Sequence, residues 1–252
     1  MLLPVAGKPL IQHVYERARA SLCAEVLIAT DDERIKLAAE GFGATVVMTS
    51  PACSSGTERI AEVCAAAAFD DEDVVVNVQG DEPQMPGAVI DQVAAALISS
   101  KDDMATVAER ITEQSLVFDP NVVKVAMDAH GYALLFSRAP LPWDRDRFPA
   151  IPLASQLPGE LPGQLASQLT GQLAGIYYRH VGLYAYRVGF LKAYVQMPVC
   201  ELEMVEGLEQ LRALYHGARI RVLAAVQPTG IGIDTATDLA RFENMAASAN
   251  SS

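Results

Sequence analysis

The first hundred residues alternate β-branched segments with segments of helical period, and this alternation constrains the fold more than any other sequence feature. Strands are predicted over 25–30 (EVLIAT), 44–48 (ATVVM) and 74–79 (VVVNVQ). Helices are predicted over 31–40, 56–69 and 88–98, after a first helix indicated by Leu10, Ile11, Val14, Tyr15 and Ala18. This order favours right-handed crossovers, and so an α/β fold with an open, mostly parallel sheet and helices on both faces.

Local signals support these boundaries. Thr30 with Glu33, and Ser55 with Glu58, each form a predicted capping box, in which a hydroxyl and a later carboxylate satisfy free N–H groups of a first helical turn. The strand over 74–79 is rich in valine, which is typical of strands buried on both faces of a parallel sheet. We therefore expect this strand near the middle of the sheet.

The second half of the chain has a different pattern. Strands are predicted over 104–110, 122–128, 132–138, 176–187 and 219–227, and the second and third form a hairpin. One amphipathic helix is predicted over 201–215, and Thr235 with Asp238 would cap a last helix. Residues 152–175 repeat leucine at every fourth position, but Pro and Gly interrupt the repeat, which favours a low-complexity loop over an interaction helix. We expect a single domain over 1–252.

Composition argues against several classes of protein. The net charge is −12 without a block of Lys or Arg, which argues against binding nucleic acid or an anionic membrane through a basic face. The four cysteines are widely spread and form no Cys-x-x-Cys pair, so neither a zinc site nor a disulfide framework is indicated. No apolar run reaches the ~18 residues of a membrane span, and no signal peptide is recognisable. We expect a soluble cytoplasmic protein.

Carboxylates follow two of the predicted strands. Asp81 and Glu82 come after the strand over 74–79, at the edge where open α/β sheets bind ligands. Asp234 follows a later strand and a Gly-rich turn. If the two strand ends converge, Asp81 and Asp234 can hold Mg²⁺, a cation that prefers oxygen ligands. The alternatives are a solvated polar turn for the first pair and a helix cap for Asp234.

Other polar residues each have a binding and a structural interpretation. Ser55, Gly56 and Thr57 lie at a helix start, which would attract an anionic ligand or simply be capped. His180 and Tyr184 would share one face of a strand, as binding residues or as packed side chains.

A second group of polar residues has the same ambiguity. Arg138, Arg145 and Arg147 suit a carboxylate substrate or surface ion pairs. Glu209 and Gln210, on the amphipathic helix, would bind a substrate or face water.

Six motifs in a fixed order are more specific than any of these residues alone. They are SGTER (55–59), VNVQGDEP (76–83), FSRAPLPWDRDR (136–147), RHVGLYAYR (179–187), LEQLR (208–212) and TGIGIDT (229–235). In this order they closely resemble the 3-deoxy-manno-octulosonate cytidylyltransferases, also called CMP-Kdo synthetase. The similarity covers nearly the whole chain outside the leucine-rich segment and the tail.

The resemblance implies a fold like that of the nucleotide-diphospho-sugar transferases, with a small mixed-strand lobe within 104–200 that serves sugar binding and dimerisation. It implies a cytoplasmic homodimer that uses Mg²⁺ and converts CTP and 3-deoxy-D-manno-octulosonate (Kdo) to CMP-Kdo and pyrophosphate, for lipopolysaccharide biosynthesis. Because the anomeric hydroxyl attacks the α-phosphorus directly, catalysis would need positioning and charge neutralisation, without a covalent intermediate.

The resemblance also implies roles for particular residues. Asp81 and Asp234 would be catalytic and hold Mg²⁺. The sugar-acid pocket would be lined by Gln79, Arg138, His180, Tyr184 and Glu209, with Arg138 at the sugar carboxylate. Ser55, Gly56 and Thr57 would lie near the nucleotide.

Two departures from the family pattern lead to further expectations. The family begins with a buried strand and a loop whose basic residues bind the triphosphate, whereas here the match starts after that loop, at Gly7-Lys8-Pro9. A start codon assigned too far downstream explains this most simply, and a truncated, inactive paralogue is the rival. We expect a gap in the middle of the sheet, with exposed apolar surface and unpaired backbone groups. Cys53-Ser54 replaces the usual His-Gln.

Two alternatives to a Kdo-specific synthetase follow. One is a non-catalytic relative that binds a sugar acid or dimerises. The other is a cytidylyltransferase for another acidic sugar, such as sialic acid or 8-amino Kdo.

Overall fold

The computed structural model describes residues 1–53, 55–67, 69–146, 148, 175–230, 232–233, 238–240 and 242–243. The helices are α1 Leu10–Arg19, α2 Glu33–Gly41, α3 Gly56–Ala66, α4 Gly87–Ile98, α5 Gln114–Phe118, α6 Val188–Tyr194, α7 Glu201–Glu206 and α8 Gln210–Tyr215. The strands are β1 Pro4–Val5, β2 Lys8–Pro9, β3 Leu27–Thr30, β4 Thr45–Met48, β5 Val74–Asn77, β6 Met104–Arg110, β7 Lys124–Met127, β8 Ala133–Ser137, β9 Tyr178–Arg187 and β10 Ile220–Ala224.

Within the described residues the large sheet has six strands, and its central strand is β9. One edge of β9 pairs antiparallel with β6, and the other edge is shared by β5 and β7. β10 runs parallel to β6, and β7 and β8 form the predicted antiparallel hairpin. The α/β fold with an open sheet is confirmed, and the large sheet is mixed because β9 runs opposite to its three neighbours.

Helices cover both faces of the large sheet, since its strands carry apolar side chains on both sides. On one face, α1 and α4 pack against β6 and β9, and Val93 and Leu97 are fully buried there. On the other face, α3, α6 and α8 form a second core, in which Leu191 and Leu211 are buried. None of the helices in the described part of the chain has the length and apolarity that a membrane crossing requires.

β3 and β4 form a separate parallel pair. Among the described residues, no strand pairs with the second edge of β3 or with the second edge of β5. Residues 26–30 and 74–78 both line a single cleft of about 2180 Å³. This separation of the two sheets agrees with the gap that is expected from the sequence.

β5 is less buried than its sequence predicts. Val74 and Val76 pack against one core and Val75 against the other, so both faces of the strand are covered. All four residues nevertheless remain only half-buried. The predicted burial on both faces is therefore confirmed, but it is incomplete because the unpaired edge of β5 opens into the cleft.

The two predicted capping boxes have different outcomes. Ser55 accepts a hydrogen bond from the backbone N–H of Glu58 at 3.2 Å, as predicted for the start of α3. The prediction of a capping box at Thr30 is wrong, because α2 begins later, at Glu33. Its cap is Asp32, whose side chain accepts a hydrogen bond from the backbone N–H of Arg34 at 2.8 Å. The Thr30 hydroxyl instead accepts from the backbone N–H of Asp32 at 3.2 Å.

The single helix predicted over 201–215 is two helices, α7 and α8. Gly207 ends α7 with a φ of 62°, a left-handed conformation that residues with a Cβ rarely adopt. The break reorients the chain so that Gln210, Leu211 and Arg212 are all buried. Of the two interpretations given for Gln210, the one in which its side chain faces water is therefore wrong.

Three further predictions lie outside the described residues. They concern the low-complexity loop over 152–175, the role of Arg147, and the helix cap at Thr235. Of residues 152–175, the structure describes only Gly175. The division into one domain with a lobe over 104–200 stays a prediction.

Candidate active site

The cleft between the two sheets brings together most of the predicted site residues. We call β3 with the following Asp31, and Gly56, Thr57 and Arg59 of α3, the front wall. We call the opposite set the rear wall; it consists of Arg138, His180, Tyr184, Glu209 and Gln210. Gln79 and Asp81 also line the cleft, just beyond β5. Ser55 is not part of the lining, and its hydroxyl caps α3.

An irregularity in β9 shapes the rear wall. Thr106 is paired with Tyr184, but the next residue of β6, Val107, is paired with Val181, so β9 carries a bulge. In a regular strand, residues four apart are separated by about 13 Å. Here the rings of His180 and Tyr184 lie 5.1 Å apart, centroid to centroid. The predicted shared face is therefore confirmed, and the bulge turns it into direct contact.

The bonding of His180 defines its protonation state. Its Nε2 lies 3.1 Å from the hydroxyl of Thr106, which donates its one proton to the carbonyl of Leu183 at 2.8 Å. With the hydroxyl proton on this carbonyl, Nε2 donates to Thr106 and Nδ1 is the acceptor nitrogen of the neutral ring, with no hydrogen bond to Nδ1 among the described residues. Burial, followed by the charge of Arg179, lowers the pKa of His180 to about 3. The ring is a neutral hydrogen-bond acceptor at physiological pH.

Two buried polar atoms of the rear wall have no hydrogen-bond partner among the described residues. They are the Tyr184 hydroxyl and the Gln210 amide nitrogen, on side chains that are 7% and 6% exposed. Burial raises the pKa of Tyr184, so the hydroxyl keeps its proton. Buried polar groups without partners are rare in folded proteins. Both residues line the cleft, so a bound ligand can supply the missing acceptors.

A buried ion pair fixes the backbone of Glu209. Arg212 donates to both carboxylate oxygens of Glu203, at 2.8 and 2.6 Å, and lies over the ring of Tyr194. The Tyr194 hydroxyl and the Arg212 backbone N–H both donate to the carbonyl of Glu209, at 2.9 and 3.0 Å. Glu209 is therefore presented to the cleft from a rigid support.

Arg138 is already engaged on one side of its guanidinium. Nε donates to the carbonyl of Glu206 at 2.7 Å, and Nη1 donates to that of Pro120 at 3.0 Å. Nη2 has no hydrogen bond to the described residues. Of the Arg138 guanidinium nitrogens, Nη2 is therefore the one available to a substrate carboxylate. Arg145 lies outside the cleft lining and forms a surface ion pair with Asp146 at 2.9 Å.

The front wall has polar contacts of its own. The Thr57 hydroxyl lies 3.3 Å from that of Tyr186, and Arg59 pairs with Asp31 at 3.3 Å. Lys8 lies outside the lining and pairs with Glu16 at 2.7 Å, so it does not replace the basic residues that bind triphosphate in the resembled family. In the described part of the chain, the lining contains three arginines, Arg59, Arg138 and Arg179, and a larger number of carboxylates.

One of the two predicted metal ligands, Asp81, lies within the described residues and lines the cleft. The N–H of Ile233 donates to the carbonyl of Asp81 at 2.9 Å, which places the residue before Asp234 against Asp81. Asp234 itself lies outside the described residues. A pair of carboxylates with backbone carbonyls nearby is a donor set that fits Mg²⁺. The expected convergence of Asp81 and Asp234 stays a prediction.

Sequence reasoning missed several supporting residues. Thr106, Arg212 and Lys124, which donates from the core to the carbonyl of Arg138, were not singled out. Their roles depend on partners that are distant in sequence. The only local indication of such a role is Lys124, a lysine within a predicted strand. A lysine buried in a sheet needs several hydrogen-bond acceptors around its ammonium group.

Comparison with known proteins supports this site. Residues 1–220 match the family model described as "Cytidylyltransferase". A protein of Idiomarina loihiensis named 3-deoxy-manno-octulosonate cytidylyltransferase is 48% identical over 97% of this chain and 91% of its own length. The protein of that name from Thioalkalivibrio sulfidiphilus is 49% identical, also over 97% of this chain and 91% of its own length.

A solved structure is similar in fold. It is that of CMP:2-keto-3-deoxy-manno-octonic acid synthetase complexed with CTP, with a TM-score of 0.82 and 34% identity, covering 98% of this chain and 91% of the other. These matches cover the strands and helices that form both walls of the cleft. The chain belongs to the 3-deoxy-manno-octulosonate cytidylyltransferases, within the cytidylyltransferase family.

Proposed function

We propose that this protein transfers the cytidylyl group of CTP to Kdo, forming CMP-Kdo and pyrophosphate. The observation that carries the proposal is the pair of buried, unpartnered polar atoms on Tyr184 and Gln210, in the same cleft as Gly56, Thr57 and Asp81. A polyhydroxylated sugar acid offers acceptors for both donors. The names of the relatives and the CTP complex support the same reaction.

The rear wall would bind the sugar acid through complementary groups. Arg138 Nη2 would meet the carboxylate, and Nδ1 of His180 would accept a hydrogen bond from a sugar hydroxyl. Tyr184 and Gln210 would donate, and the Glu209 carboxylate would accept. Gln79 donates to the carbonyl of Gly182 at 3.1 Å, which leaves its amide oxygen for the substrate. The set contains donors and acceptors in fixed positions, which suits orientation of one anomeric hydroxyl.

In the reaction, the anomeric oxygen of Kdo forms a bond to the α-phosphorus as the bond from that phosphorus to the bridging oxygen of pyrophosphate breaks. The hydroxyl proton passes to solvent. Gly56 and Thr57 present backbone N–H groups at the start of α3, which would receive the nucleotide. Because no enzyme nucleophile is required, the residues act by positioning and by electrostatics.

Asp81 and Asp234 would hold Mg²⁺. When bound, the ion supplies positive charge against the phosphates. This contribution is large here, since the described lining has more carboxylates than cations and would otherwise repel a triphosphate.

The experiment is a measurement of pyrophosphate release by the purified protein with CTP, Kdo and Mg²⁺, with the nucleotide sugar identified by mass spectrometry. We expect CMP-Kdo with Kdo as substrate and little or no product with sialic acid. Asp81→Asn, which removes the charge and keeps the shape, is expected to lower kcat by about 10³-fold. A protein that melts cooperatively but releases no pyrophosphate would overturn the proposal, and preference for another acidic sugar would change the substrate.

We also propose that the protein acts in the cytoplasm as a homodimer. The short helix α7 exposes Leu202, Met204 and Val205, the last with 85% of its surface accessible, and this apolar patch suits a second copy of the chain. The four cysteines are free thiols, as a reducing compartment favours. Light scattering should give twice the chain mass, and Val205→Asp should shift the protein to monomer; a monomeric wild type would contradict the proposal.

A further inference from the structure

A lysine is completely buried behind the rear wall. The ammonium group of Lys124 donates to the carbonyls of Asp119, Val122 and Arg138, at 2.8, 2.6 and 2.5 Å. An ammonium group has three N–H donors, so all of them are used. Burial lowers the pKa of Lys124 to about 8, and the side chain is still mainly a cation at neutral pH. Taking this charge out of water costs free energy, so the three acceptors are what makes its burial possible.

The three acceptors belong to two separate parts of the chain. Asp119 and Val122 lie at the two ends of a short segment, 119–122, between α5 and β7, whereas Arg138 follows β8. The guanidinium of Arg138 binds the same segment, because Nη1 donates to the carbonyl of Pro120 at 3.0 Å. Three of the four carbonyls of the 119–122 segment therefore accept from one of two cations. Asp119 and Val122 also line the cleft.

The backbone of Lys124 is itself fixed by the large sheet. Lys124 is paired with Ser137 of β8 on one side and with Arg179 of β9 on the other. These are the residues directly before Arg138 and His180, two members of the rear wall. The lysine side chain therefore starts from a position that is set by the same strands that carry the rear wall.

The contacts of Lys124 bear on the direction of the Arg138 guanidinium. Glu206 holds Arg138 from α7, accepting from its backbone N–H at 2.9 Å and from Nε at 2.7 Å. Pro120 holds the other end of the group, at Nη1, and its own position depends on the segment that Lys124 binds at both ends. Because the guanidinium is planar and rigid, a shift of Nη1 also redirects Nη2. Nη2 is the nitrogen that remains for a substrate carboxylate.

We propose that Lys124 is a positioning residue for recognition of the sugar-acid carboxylate, because it fixes the 119–122 segment and the backbone of Arg138 and so sets the direction of Arg138 Nη2. This inference rests on the proposed function. Lys124 lies outside the cleft lining, so it acts on the substrate through Arg138. Small errors in the placement of a binding group are costly, since a misplacement of about 1 Å can lower a rate by about 10²-fold.

The chain offers a matched control in β9. Arg187 is a second largely buried cation, and it donates to the carbonyls of Leu97 and Ser100, both at 2.7 Å. It lies outside the cleft lining and has no hydrogen bond to the 119–122 segment or to Arg138 among the described residues. Lys124→Met and Arg187→Met each remove a cation that binds backbone carbonyls, but only the first releases the support of Arg138.

The test measures the affinity of each folded variant for Kdo. Calorimetry without CTP gives the Kdo dissociation constant, and kcat and the KM for Kdo are measured at saturating CTP. We expect Lys124→Met to raise the dissociation constant and the KM by about tenfold, as for a weakened hydrogen bond between charged groups, with a smaller change in kcat. Arg187→Met should lower the melting temperature but leave both constants within about twofold of the wild type.

A double-mutant cycle separates positioning from a general loss of stability. In the Arg138→Met background, Lys124→Met should change the Kdo dissociation constant by less than about twofold, because the guanidinium that it positions is gone. Lys124→Gln keeps two N–H donors on a shorter side chain and should give an intermediate dissociation constant. The same cycle is carried out with Lys124→Gln if Lys124→Met does not melt cooperatively.

An effect of the Lys124 substitution that is equally large with and without Arg138 would overturn the inference, as would a Kdo affinity equal to that of the wild type. Failure of the proposed function has a different signature. A wild type that binds Kdo but releases no pyrophosphate would remove the proposed reaction, and the calorimetric comparison would still decide the role of Lys124. A wild type that binds no Kdo would overturn both.

Discussion

The two walls of the cleft differ in how their side chains are held. The rear wall is built on β9, which has hydrogen-bonded neighbours on both edges, and is supported by the buried pair of Arg212 and Glu203. The front wall is built on a two-stranded sheet with an unpaired edge, and its ion pair between Arg59 and Asp31 is partly exposed to solvent. In the described chain, the strand that carries the rear wall is paired along both edges. The front wall has a strand edge whose backbone groups have no partner in the described chain.

This difference indicates a division of labour in the proposed reaction. A sugar acid has hydroxyls in a fixed stereochemistry, and a rigid wall with preset donors and acceptors is suited to recognise it. A triphosphate with its cation is recognised mainly by charge, which tolerates a less ordered wall. The following predictions test whether the rear wall is the more rigid and more selective of the two.

Loss of Arg212 should have the largest effect. Arg212→Met leaves Glu203 as a buried carboxylate without its partner, and such changes cost about 3–5 kcal/mol of unfolding free energy. The two side chains are only 5% and 10% exposed, so solvent screens the pair little. Urea unfolding measures the change. The double variant Glu203→Gln with Arg212→Met should lose less than Arg212→Met alone; a loss below about 1 kcal/mol for Arg212→Met would remove the distinction between the walls.

His180 should make stability depend on pH. Its folded pKa of about 3 lies below the ordinary value near 6.5. The unfolded chain therefore binds a proton that the folded chain excludes, and stability is lost as pH falls from about 6.5 towards about 3, by at most about 1.4 kcal/mol per pH unit. The slope of unfolding free energy against pH should be flatter in His180→Asn. Identical slopes for variant and wild type would contradict a ring that stays neutral in the folded protein.

Tyr184→Phe should separate binding from stability. Because the hydroxyl has no partner in the described chain, its removal should leave the melting temperature unchanged or slightly higher. The KM for Kdo should rise by about tenfold, as expected for one lost hydrogen bond to a charged or polar substrate. Tyr186→Phe is the control, since that hydroxyl meets Thr57 of the front wall. A fall in melting temperature without a change in KM would assign the hydroxyl to packing instead.

Arg59→Met should have the smallest effect. Arg59 and Asp31 are 21% and 36% exposed, and pairs of this kind contribute about 1 kcal/mol or less. The same urea experiment gives a direct comparison with Arg212→Met. A loss of 3 kcal/mol or more would show that the front wall is as firmly held as the rear.

Local patterns predicted much of the fold. β6 has the bounds expected from sequence, residues 104–110, and the hairpin of β7 and β8 and the start of α3 at Ser55 follow from apolar alternation and capping. The residue types of the rear wall were identified from the motifs. In each case the determining interactions lie within a few residues of one another.

Features that depend on distant partners could not be predicted. The burial of Arg212 requires Glu203 and a turn at Gly207. Of these two, only the turn has a local signal, since glycine after an apolar helical run commonly marks a helix end. The partial exposure of β5 depends on what lies beside it in the sheet. The approach of Ile233 to Asp81 depends on the whole topology, because more than a hundred residues separate the two strand ends.

The contact between His180 and Tyr184 depends on the number of residues in the bulged stretch of β9 that separates them. In a strand with an uninterrupted ladder to β6, both residues would still lie on the same face. Their rings would then be too far apart to contact the same ligand. Insertions or deletions between positions 181 and 183 are therefore expected to change the spacing of these two rings more than an exchange of side chains would, because the register of β9 shifts there.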